Sequence, residues 1–135
     1  MAEYKLVRAK DVPDQAENLG YDPEKFEIRF MRNDLGCENC GVSYIRLSPG
    51  LSPEGHRHRR QEEIYVLVSG RAQANLGDEV VELEPWTALR VPPETPRALR
   101  AAGPEDAVLI AVGAPNTGPG DALPPPEGFE QGWNA

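Results

Sequence analysis

Residues Gly50–Gly70 read GLSPEGHRHRRQEEIYVLVSG and hold both histidines of the 135-residue chain, two positions apart, ahead of a carboxylate pair at Glu62 and Glu63. In a strand, residues i and i+2 face the same way, so His-Arg-His aims His56 and His58 together and turns Arg57 away. Glu63, Tyr65 and Leu67 share parity along the apolar run that follows. An inward Leu67 therefore carries Glu63 inward and leaves Glu62 outside. A lone buried carboxylate is costly, so an inward Glu63 requires a cation or donors beside it. Two neutral imidazoles and one carboxylate make a facial triad suited to Fe(II) that also accepts Mn, Ni or Zn. On these residues alone a second reading stays open, in which His56 and His58 are ordinary polar residues of a loop rich in Arg57, Arg59 and Arg60.

Working outward, short β-rich runs bounded by Gly, Pro, Asn and Asp recur at 4–8, 26–32, 41–48, 62–69, 71–76, 79–84, 87–91, 97–101 and 107–113. That rhythm predicts an all-β sandwich or barrel. LGDE at 76–79 reads as a tight hairpin turn, because Gly-Asp tolerates positive φ. No segment has a helical period, although 14–19 is compatible with one short turn. IYVLVS (64–69) and AVLIAVG (107–113) are apolar on both alternating faces. Each is expected to have the core on one side and further protein on the other, supplied by a homodimer partner or by an N-terminal strand folded over it.

The length suits one domain: 1–36 as N-terminal strands and arm, 37–113 as barrel core, and 114–135 as a tail. The tail is rich in Pro and Gly, and its isolated apolar residues Leu123, Phe129 and Trp133 are expected to dock it. A net charge of -8 argues against nucleic acid or anionic lipid as partners. No run approaches the roughly 18 apolar residues that span a bilayer, and no apolar leader opens the chain, so a cytoplasmic protein is expected. Cys37 and Cys40 form a single C-x-x-C that leads into a strand and lacks a second pair to complete a zinc site. They are read as reduced thiols. With two histidines in all, no triad is apparent around Ser43, Ser48 or Ser69.

Gly50, five residues, His56-Arg57-His58, four residues, Glu63, six residues and Gly70 together resemble the complete first motif of the cupin superfamily. The resemblance implies a small cupin-type jelly-roll barrel (a double-stranded β-helix), often a homodimer, with His56, His58 and Glu63 holding a divalent metal such as Fe, Mn, Ni or Zn. VPPETPRALR at 91–100 resembles the second motif in degenerate form, with Arg97 in place of the fourth ligand histidine. If Leu99 faces inward, Arg97 does too. Arginine has no lone pair for a metal. A unit charge about 4 Å from a divalent ion meets roughly 8 kcal/mol of repulsion at an effective dielectric near 20, of which Glu63 offsets about half.

Three arrangements follow. The metal sits on His56, His58 and Glu63 while Arg97 leans away to bind an anionic ligand; or Arg97 pairs with Glu63 in a metal-free pocket; or Arg97 snorkels to the barrel mouth. Tyr65 and Tyr44 are candidates to line the pocket and donate to a ligand, with core packing the alternative for each. The resemblance fixes no reaction. It is compatible with a metal-dependent dioxygenase, isomerase or lyase acting on a small anionic organic molecule, with a metal-free small-molecule binder as the alternative. Catalytic residues are not identifiable at this level.

Overall fold

A computed structural model describes residues 2–118 and 120–134 of the chain. Its strands are β1 (Phe26–Phe30), β2 (Gly41–Leu47), β3 (Arg57–His58), β4 (Glu62–Ser69), β5 (Ala72–Asn75), β6 (Val80–Leu83), β7 (Ala88–Val91), β8 (Ala98–Ala101), β9 (Ala107–Ala114) and β10 (Ala122–Leu123). A four-residue helix, α1 (Arg32–Leu35), and 3-10 turns at Ala9–Asp11 and Phe129–Asn134 interrupt them. The antiparallel sheets run β1-β2-β9-β4-β7 and β6-β5-β8, with a ribbon of β10 and β3. Among the described residues, no helix is long and apolar enough to cross a membrane.

Period-two alternation sets the core. In β9, Ala107, Leu109, Ala111 and Gly113 are buried while Val108, Ile110 and Val112 are half-buried on the other face. Leu47, Leu67 and Leu109 from the larger sheet pack with Ala72, Leu83 and Ala101 from the smaller one, so the two sheets share one core. The closing glycine of the His-Glu segment, Gly70, has φ of 78°, and a Cβ there would collide with the backbone carbonyl of Asp106. Only glycine fits that crossing. At the β5–β6 hairpin, Gly77 supplies the expected positive φ (101°) and Leu76 N–H closes the turn on Glu79 O at 2.8 Å.

Two local expectations need correction. Residues 4–8 are not a strand: Tyr4 and Leu6 are 81% and 90% exposed on an unpaired arm, because alternation without a neighbouring edge secures no ladder. The first strand stops at Phe30, and the chain turns through α1, which ends at Gly36 in the left-handed region (φ 70°). The tail docks on the barrel through the apolar residues named for it. Ala122 and Leu123 pair with His58 and Arg57, and Phe129 is buried, with its carbonyl accepting from Asn75 Nδ2 at 3.2 Å. Trp133 stacks 4.2 Å from the Arg100 guanidinium carbon.

Candidate metal centre

Two backbone contacts bring the halves of the site together. His56 and Arg97 form an antiparallel bridge, each N–H donating to the other's carbonyl at 2.9 Å. Gly55 makes this possible, since a Cβ there would lie 2.6 Å from Arg97 O and would also strike the Phe129 ring. On β4, Glu63 lies between Gly113 of β9 and Val91 of β7, facing the interior with Tyr65 and Leu67 as parity requires.

The Glu63 Oε1 atom is the focus of the cluster. His56 Nε2 and His58 Nε2 each lie 3.1 Å from it, the Tyr65 hydroxyl donates to it at 2.7 Å, and Arg97 Nη1 donates at 2.6 Å. Burial alone would raise the Glu63 pKa; hydrogen bonds from His56, His58 and Tyr65 outweigh it and hold the carboxyl well below the usual carboxylate range. The Tyr65 hydroxyl is pushed well above its ordinary value by burial and then by the Glu63 charge, so it stays a donor.

Behind the site stands a residue the sequence did not single out, Asp121. Its Oδ2 lies 2.9 Å from His58 Nδ1, and backbone N–H groups of Arg60 and Gln61 pin the carboxylate at 3.0 and 3.2 Å. Burial opposes ionisation of Asp121, but the His58 contact and these N–H donors lower its pKa. His58 is thus wedged between two carboxylates that only accept. A neutral imidazole donates from one nitrogen, so once Nδ1 serves Asp121, the Nε2 lone pair faces an anionic oxygen. A positive charge must sit there, either a second proton or a metal ion. In the absence of metal the proton is favoured: burial disfavours the charged ring, but Glu63 and Asp121 overcome this and raise the His58 pKa.

The donor set fits a metal. Two donors about 2.1 Å from one ion and at right angles are about 3.0 Å apart, close to both observed N···O separations. The three ligand atoms lie within 4.8 Å of one another, and among the described residues no other group of three potential ligands converges in this way. The Asp121–His58 contact is the outer support that metal-bound histidines use. Arg97 and Tyr65 donate to the same Oε1 that meets the two histidines, so an ion held there would share that oxygen with both donors, while Oε2 has no protein donor among the described residues.

Arg97 neither leans away nor snorkels. It is 1% exposed, and besides Glu63 it donates from Nε to Thr95 O and from Nη2 to Pro92 O and Pro93 O. Four of its five N–H donors are committed, so it is a brace on Glu63 and a poor grip for an anionic ligand. Tyr65 belongs to the site, though its hydroxyl serves Glu63. Tyr44 does not. Alternation in β2 sends Ser43, Ile45 and Leu47 to the cavity and Tyr44 outward, opposite Arg29 and Ile110. Cys37 and Cys40 are free thiols between α1 and β2.

Over this cluster opens a cavity of about 610 Å³. His56, Glu63 and Arg97 lie at one end, while Phe26, Ile28 and Phe30 of β1 with Ile45 and Leu47 of β2 form an apolar wall. His56 is the more open histidine, its side chain 38% exposed against 9% for His58.

Comparison with known proteins follows the same lines. No curated protein sequence matches the chain. A cupin protein from Bacteroides fragilis superposes with a TM-score of 0.68 at 22% identity, covering 85% of this chain and 86% of that one. The polyketide cyclase RemF from Streptomyces resistomycificus gives 0.71 at 19% identity over 96% and 92%. A deletion mutant of Bacillus subtilis oxalate decarboxylase gives 0.73 at 20% identity, covering 92% of this chain and 32% of that longer one. At these identities the likeness is one of fold. The cupin domain profile matches residues 43–113, which hold the His-x-His segment, Glu63 and Arg97; the chain belongs to the cupin family.

Proposed function

We propose that the chain is a metal-dependent cupin that binds, and acts on, a small organic molecule held in the cavity above His56. His56, His58 and Glu63 hold a divalent transition metal, which supplies a Lewis-acid or oxygen-activating centre. Arg97 and Tyr65 fix Glu63, Asp121 fixes His58, and the apolar wall holds the body of the ligand away from water. The observation that carries this reading is the convergence of His56 Nε2, His58 Nε2 and Glu63 Oε1 at separations that suit one ion, with Asp121 behind His58. Two structural relatives, a polyketide cyclase and an oxalate decarboxylase, support the use of such a barrel for chemistry on small organic molecules.

The test is elemental analysis of protein purified without chelator or histidine tag. Near-stoichiometric metal in the wild type and its loss in Glu63→Gln is the expected result. A second reading, favoured by the 2.6 Å Arg97–Glu63 pair, is a metal-free binder with His58 protonated. It requires that the wild type stay empty after exposure to Fe, Mn, Ni and Zn, and that Arg97→His gain a site.

The outer face of the large sheet supports a homodimer. Val42, Val112 and Ile64 form one row across β2, β9 and β4, and Tyr44, Ile110 and Val66 form the next. The exposed N-terminal arm leaves Tyr4 and Leu6 in solvent and does not supply the second layer anticipated for these strands. Sedimentation should give a dimer that Ile64→Glu dissociates.

A further inference from the structure

The cavity holds two arginines, and they differ in kind. Arg97 is neutralised by Glu63 and held by backbone carbonyls. Arg32, in α1, lines the same cavity with no carboxylate in ion-pair distance among the described residues, whereas Arg29, Arg46, Arg71, Arg90 and Arg97 all have one. Its side chain is positioned, since Nη1 donates to Asn116 Oδ1 at 2.8 Å and to Thr117 O at 3.3 Å. Its Nε and Nη2 have no protein acceptor among the described residues, which leaves most of a planar fork for a ligand.

Position in the sheet gives the scale. The Arg32 side chain lies over Gly41, with its Cδ 3.7 Å from where a Cβ would be. Gly41, Gly113 and Glu63 form one row across β2, β9 and β4. Adjacent strands are about 4.8 Å apart, so Gly41 and Glu63 are about 10 Å apart along that row. Neither glycine contributes a side chain, but the Gln61 amide lies over Gly113, its Cδ 2.6 Å from where a Cβ would be, so a ligand reaching from Arg32 to His56 passes beside that amide along the apolar wall of Phe26, Ile28 and Ile45.

We propose that Arg32 is the anion-recognising residue of the cavity and that its ligand is an elongated, largely apolar monocarboxylate. Its carboxylate meets Arg32 and its far end reaches His56. The inference rests on the small-molecule reading above, while the Arg32 contact itself does not need the metal. A small hydrophilic dianion fits poorly, because it leaves the apolar wall uncovered.

The experiment is calorimetric titration with trans-cinnamate, its neutral counterpart cinnamyl alcohol, and succinate, on wild type, Arg32→Gln and Arg32→Lys, each with and without prior EDTA treatment. Cinnamate should bind the wild type about tenfold or more tighter than the alcohol. Arg32→Gln should abolish that preference without changing alcohol binding, and Arg32→Lys should fall between. Equal binding of acid and alcohol, failure of cinnamate to bind at millimolar concentration, or succinate matching cinnamate overturns the proposal. Should Arg32→Gln fail to fold by circular dichroism, an undiminished preference in Arg32→Lys overturns it and a reduced one supports it. If EDTA removes the preference while Arg32→Gln keeps it, the carboxylate sits on the metal; the Arg32 assignment then fails and the metal reading stands. If no metal is ever found but Arg32→Gln loses the preference, the reverse holds.

Discussion

Replacing Arg97 by Met tests the central polar cluster most directly. Methionine fills similar space without charge, so Glu63 loses its 2.6 Å partner inside a site where Arg97 is 1% exposed and the Glu63 side chain 14% exposed. Removing one member of a buried pair costs about 3–5 kcal/mol. The Thr95 carbonyl also loses its donor, whereas Pro92 O keeps the Thr95 N–H and Pro93 O keeps the His58 N–H, so the carbonyls add little to this range. For a domain of this length, one kcal/mol moves the melting temperature by about 3.5 °C, which gives a drop of about 10–18 °C. Calorimetry on metal-depleted protein is the assay. The double variant Arg97→Met/Glu63→Gln should lose about 1–3 kcal/mol less than the sum of the two single changes, because the buried charge is gone. Added divalent metal should raise the melting temperature of Arg97→Met by more than that of the wild type, since the metal neutralises Glu63 without facing the guanidinium. A melting temperature for Arg97→Met within about 3 °C of wild type would refute the reasoning, because it would mean that the pair contributes almost nothing.

Asp121→Asn should weaken metal binding by about 10–100-fold in a competitive chelator titration while leaving the three ligands in place, the usual cost of losing the group that orients a ligand histidine. Unchanged affinity would remove Asp121 from the site. Glu27 provides a pH test away from the metal. Burial raises its pKa, but hydrogen bonds from Arg29 at 2.6 Å and Arg46 at 3.0 Å outweigh that and lower it from 4.5. A depressed carboxylate contributes stability that is fully present above its unfolded pKa and is lost as pH falls through the folded one. Urea melts of Glu27→Gln should therefore show a shallower loss of stability below pH 4.5 than the wild type, and parallel curves would count against the network.

The segment from Gly50 to Gly70 was legible because its information is local. Period-two alternation aimed Glu63 inward with Tyr65 and Leu67, and the same rule, carried through Leu99, placed Arg97 inside. What alternation could not give was the partner of that charge, which depends on the His56–Arg97 bridge between distant segments. The sequence leaves Tyr44 open between pocket and packing because nothing in GVSYIRL states which parity faces the cavity; both sets are partly apolar. Asp121 was missed for a different reason. It lies 63 positions from His58 in a stretch whose Pro and Gly content signals only irregular backbone, and a two-residue strand leaves no periodic trace.

That separation has a consequence for how the protein is made. A chain synthesised from its N-terminus displays both histidines and Glu63 long before Asp121 emerges to hold His58 and Phe129 arrives to seat against Gly55. During synthesis the imidazoles are present but unsteered, so on the proposed metal reading loading would be a late event that coincides with docking of the final segment. A fusion partner or truncation that disturbs residues 121–129 would then be expected to lower metal content while His56, His58 and Glu63 remain intact.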